Sequence, residues 1–107
     1  MAKEEPLGLK TVFGVNDAAA RVLDFLILSR EWDYSVTAIA KEAQVGRRSA
    51  IRVLHEKPGL LKLGIVKPTR KVGPCTLYKL NLENPIAQAL AKLKQEIVFQ
   101  EASKLTK

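Results

Sequence analysis

The chain has 107 residues, a formal net charge of +7 and 47% hydrophobic residues, which supports one core in one ordinary domain. No stretch approaches the roughly 18 apolar residues of a membrane span, and the charged start Met1–Pro6 lacks a signal-like apolar core, so a cytoplasmic protein is expected. One cysteine, Cys75, and one histidine, His55, exclude an internal disulfide framework and a zinc finger.

Leu7, Leu9, Val12 and Phe13 predict a short turn packed on the core, broken at Gly14. Asn16 as N-cap and Asp17 in the first turn open a helix that runs to about Ser29. Ala19, Val22, Leu23 and Leu26 make one apolar stripe, with Phe25 and Leu28 off it. A helix apolar on more than one side is expected to be central, with surface to spare for a second contact. Trp32–Ser35 reads as a short extended piece, with Trp32 and Tyr34 as packing residues. Ser35 caps a helix over Val36–Ala43, whose edge of Ile39, Ala40 and Ala43 lets another helix cross closely.

Gln44-Val45-Gly46 leads to a third helix from Arg47 to about Glu56, stopped by Pro58-Gly59. Beyond Leu60, Leu61, Leu63 and Gly64, strands Ile65–Arg70 and Cys75–Leu80 form a hairpin around the turn Lys71-Val72-Gly73-Pro74. Pro68 places its strand at an edge. Asn84-Pro85 begins a last helix of about 20 residues. This order predicts an α+β, mostly helical fold: a winged helix-turn-helix over 1–83 and a terminal helix over 84–107.

Charge is unevenly spread. Residues 1–40 carry four Lys/Arg against six Asp/Glu, whereas residues 41–79 carry ten against two. A field concentrated in the middle third attracts a polyanion, while a merely solubilising surface usually mixes both signs. On the third helix, 100° per residue puts Ala50, Val53 and Leu54 on one face and Arg48, Arg52 and His55 on the other, with Arg47 at the exposed end. Guanidinium forks on such a helix suit the two acceptors of guanine in a major groove. Ser49 and the N-terminal amides suit phosphate. The hairpin cations Lys67, Arg70 and Lys71, with Thr69, suit a phosphate strand or minor groove. Thr37 and Lys41 are weaker phosphate candidates. Ile86, Leu90, Leu93 and Ile97 are spaced 4, 3 and 4, a short heptad seam. With Phe25 and Leu28, they are the expected surface of a homodimer.

Val22-Leu23-Asp24-Phe25-Leu26, Asp33-Tyr34-Ser35, Val45-Gly46-Arg47-Arg48-Ser49, Leu63-Gly64-Ile65-Val66 and Leu77-Tyr78-Lys79-Leu80-Asn81 stand in the order of archaeal winged helix-turn-helix DNA-binding proteins of the transcription-regulator type. The chain resembles these proteins over nearly its whole length. The resemblance implies a dimer bound to double-stranded DNA, with the third helix in the major groove, wings on flanking backbone and a nucleoid-associated location. No cofactor is implied, and without a paired base and nucleophile, a metal set or a glycine-rich phosphate loop an enzyme is not expected. Three positions depart from the pattern: Gln44 where the tight turn usually has glycine, Gly46 in place of a serine cap, and Pro58-Gly59 across a helix that commonly runs on. Two rivals stay open, an architectural protein that coats DNA and a winged helix whose basic face meets an acidic protein partner.

Overall fold

The computed structural model describes residues 8–56 and 59–105. In chain order these form α1 (Leu9–Phe13), α2 (Ala18–Leu28), α3 (Val36–Ala43), α4 (Arg47–His55), β1 (Val66–Val72), β2 (Cys75–Leu80) and α5 (Pro85–Leu105). The architecture is α+β and mostly helical, with an antiparallel hairpin after α4 and a long terminal helix.

Capping chemistry sets the helix starts. The Asp17 carboxylate accepts the Ala20 amide at 2.9 Å, so Asp17 is the N-cap of α2 and Asn16 lies outside the helix, one residue from the expected start. Ser35 caps α3 by accepting the Ala38 amide. Asn84 accepts the amides of Ile86 and Ala87 at 2.8 and 3.1 Å and starts α5 at proline.

Helix α2 is central. It packs on α1, α3, α4 and β2, and its Val22, Leu23, Leu26 and Ile27 are buried with Ile39, Leu54, Ile65, Val66 and Leu80. Each such side chain contributes roughly 1.5–3 kcal/mol by leaving water. Phe25 belongs to this core as well, because its ring lies 4.7 Å from that of Tyr34. Leu9 is the one buried apolar residue of α1; Val12 and Phe13 point to solvent, contrary to expectation, and Leu7 is outside the described residues. Trp32 is also a correction: it is 66% exposed rather than packed.

One polar contact lies inside this apolar frame. The buried Asp24 carboxylate accepts the amides of Leu9 (2.7 Å) and Lys10 (3.2 Å), and the Lys94 ammonium of α5 lies 3.6 Å away. Asp24 thus satisfies the amides that begin α1 while tying α1, α2 and α5 together. Gly8 passes so close to this pair that a side chain there would overlap Asp24 and Lys94.

Gly59 ends the helical half. Its φ of 91° suits glycine, and a Cβ would fall 2.6 Å from the Leu54 carbonyl oxygen. The chain then folds back, with the amides of Leu60 and Leu61 donating to the carbonyls of Val53 and Leu54. The hairpin differs from expectation at its tip. Lys71 and Val72 pair with Thr76 and Cys75, so β1 runs two residues further and the turn is only Gly73-Pro74. Tyr34 forms an isolated bridge on the other side of β2, exchanging two 2.8 Å hydrogen bonds with Tyr78. Because the Tyr78 amide and carbonyl face Tyr34, its partner on β1 has no ladder bond to make there. That partner is Pro68, which has no amide hydrogen to offer.

Candidate nucleic-acid interface

The α3–α4 turn forms despite a non-glycine residue. Gln44 adopts φ 60° and ψ 45°, the left-handed region, and the Val45 amide closes the turn on the Ala40 carbonyl. Arg21 braces it from α2. Its guanidinium donates to the Ala43 carbonyl at 2.9 Å, the Val15 carbonyl at 2.6 Å and Gln44 Oε1 at 2.9 Å. Gly46 is the N-cap of α4 and offers no side-chain acceptor, which leaves the first amides of that helix without a side-chain cap.

On α4, Ala50 and Leu54 are buried and Val53 is half-buried, while Arg48, Arg52 and His55 are exposed on the opposite arc. Arg47, Thr37 and Lys41 are exposed as well, and Ser49 is half-buried. Arg47 Nε donates to Thr37 Oγ1 at 3.3 Å, bringing two of the candidate residues together across α3 and α4. At the other end of α4, the His55 ring meets Tyr78 of β2 edge-on at 6.2 Å.

On the hairpin, Lys67, Thr69, Arg70 and Lys71 are exposed and Lys79 is half-buried. The register slips between Pro68 and Arg70, leaving Thr69 as an inserted residue, a β-bulge. Successive strand residues ordinarily point to opposite faces. Here Thr69 and Arg70 instead reach the same carboxylate, that of Asp33. Thr69 Oγ1 donates to Asp33 Oδ2 at 2.5 Å, and Arg70 donates from Nε to Oδ2 at 3.1 Å and from Nη2 to Oδ1 at 3.4 Å. The Thr69 hydroxyl first, and Arg70 second, hold the Asp33 carboxyl below its ordinary 3.8. No local spacing announces Asp33 as part of the site, since it stands 36 residues before Thr69.

The expected dimer residues divide between inside and outside. Phe25 and Leu90 are half-buried in the core and Ile97 is buried, whereas Leu28, Ile86 and Leu93 are exposed. An open groove runs between the end of α2 and α5, lined by Leu28, Trp32, Leu82, Val98 and Phe99. Leu28 is 70% and Phe99 71% exposed. Among the described residues no three His, Cys, Asp or Glu side chains converge as a metal site, and no helix is long and apolar enough to cross a membrane.

No protein-family model matches the chain, and no curated protein is significantly similar to it in sequence. Among solved structures it is similar to that of ZitR from Lactococcus lactis, a double mutant, with a TM-score of 0.59 and 16% sequence identity. The match covers 78% of this chain and 57% of the ZitR chain, so this chain spans little more than half of that protein. What the two share is the fold, a winged helix-turn-helix.

Proposed function

We propose that this chain binds double-stranded DNA as a dimeric transcription regulator. The observation that carries the reading is the polarity of α4: exposed Arg48 and Arg52 stand opposite buried Ala50 and Leu54, on a helix whose end abuts the base of a cationic hairpin. In this reading Arg48 and Arg52 contact base edges in the major groove. Arg47, Ser49, Thr37 and Lys41 contact phosphate at the start of α4. Lys67, Thr69, Arg70 and Lys71 contact the flanking strand or minor groove. The second copy packs on the exposed apolar surface of Leu28, Ile86, Leu93 and the α2–α5 groove, so that two α4 helices face two half-sites. Cytoplasmic action at the nucleoid follows from that role.

The test is selection of bound sequences from a random duplex pool, followed by titration of variants against selected and random duplexes. Arg48→Ala and Arg52→Ala are expected to lower the preference for the selected sequence. Arg70→Ala and Lys71→Ala are expected to weaken all duplexes alike and reduce the salt slope by about 1 each. Equal effects of all four on every duplex would remove the groove assignment. Equal competition by random and selected duplexes would favour an architectural coat, and no duplex binding at moderate salt would favour an acidic protein partner.

A further inference from the structure

Asp33 is unlike an ordinary surface acid paired with an arginine. Its side chain is only 18% exposed, while the Arg70 side chain it holds is 66% exposed. The carboxylate therefore sits at the root of the hairpin and the guanidinium lies outside it. Arginine carries five N–H donors in a rigid plane. The two donors given to Asp33 lie along the Nε–Nη2 edge. Both hydrogens of Nη1 and the second of Nη2 are left, and one from each nitrogen forms the terminal edge that takes a phosphate or base acceptor pair in bidentate fashion. The bulge at Thr69 supplies a further anchor, because its hydroxyl fixes the same carboxylate.

Resting on the duplex-binding reading, we infer that Asp33 is a positioning residue for the DNA contact of Arg70. It orients the terminal guanidinium edge outward before DNA arrives, so less rotamer freedom is lost on binding. A carboxylate beside a polyanion would by itself oppose binding. The sign of its effect thus separates positioning from charge.

The experiment is a double-mutant cycle of Asp33→Ala and Arg70→Ala, read as duplex affinity by fluorescence anisotropy, with Asp33→Asn as the near-isosteric variant and Arg48→Ala as a control on the α4 contact. Asp33→Ala is expected to weaken binding about threefold in the wild-type background, a modest coupling for directly bonded residues. In the Arg70→Ala background the same change is expected to tighten binding, since only a repelling charge is then lost. Asp33→Asn is expected to fall between. In the protein without DNA, the Arg70 Nε–H signal in a nitrogen-correlated spectrum is expected to exchange with water faster in Asp33→Ala than in wild type. Tighter binding by the same factor in both backgrounds overturns the inference and leaves DNA binding standing. A wild-type protein that binds no duplex, or binds one independently of Arg48, overturns the functional reading and this inference with it.

Discussion

Gln44 carries two opposed contributions within one residue. Its left-handed backbone costs about 1 kcal/mol relative to an unstrained turn, and the bond from Arg21 returns roughly 0.5–1 kcal/mol. Gln44→Ala keeps the strain and loses the bond, so urea denaturation is expected to show a loss of about 1 kcal/mol. Gln44→Gly removes both and adds freedom to the unfolded chain, so its stability is expected to stay within about 0.5 kcal/mol of wild type. Asp33 offers a second residue-scale test. Because its folded pKa is lowered, the linked stabilisation is complete above the ordinary value of 3.8 and is lost as pH falls through the lower folded value. A carbon-13 titration of the Asp33 carboxyl is expected to give a midpoint below 3.8. Thr69→Ala and Arg70→Ala should each move it back upward, since loss of the Thr69 hydroxyl removes one lowering cause and loss of the Arg70 guanidinium two, its hydrogen bond and its charge.

At the scale of elements, α2, α3 and α5 were readable because each starts at a side-chain cap. Ser35 and Asn84 stood out, and the one-residue error at α2 arose because Asn16 and Asp17 are adjacent residues equally suited to capping. The bulge in β1 was not readable. After Val66 that strand is exposed on both faces, so no alternation of apolar and polar residues fixes its register. Asp24 was visible only as an interruption of an apolar run, since nothing local marks a carboxylate that serves the first amides of another helix. Removing it takes the acceptor from the buried Leu9 and Lys10 amides and a carboxylate from beside the Lys94 ammonium, and Asp24→Ala is expected to cost about 3 kcal/mol in denaturant unfolding. Lys94→Met, which leaves Asp24 its two amide donors, is expected to cost less.

For the whole molecule, the heptad spacing on α5 identified an apolar helix without distinguishing inward from outward residues. Leu90 and Ile97 serve the core, with Ala87 and the Lys94 contact, so α5 leaves Ile86 and Leu93 exposed on one side of that stripe and Val98 and Phe99, with Leu28 of α2, in the groove on the other. If a second copy covers it, Leu28→Glu combined with Phe99→Glu should yield monomers in sedimentation equilibrium while the helical circular dichroism is kept. Half-site cooperativity on selected duplexes should disappear with it.

The Tyr34 bridge grips β2 at Tyr78, Asp33 steadies Thr69 and Arg70 beside it, and the hairpin continues from Tyr78 to Cys75. At about 3.3 Å per residue this overhang is roughly 10 Å long. If the chain binds a duplex as proposed, this length sets how far beyond α4 the hairpin cations Arg70 and Lys71 reach along the DNA.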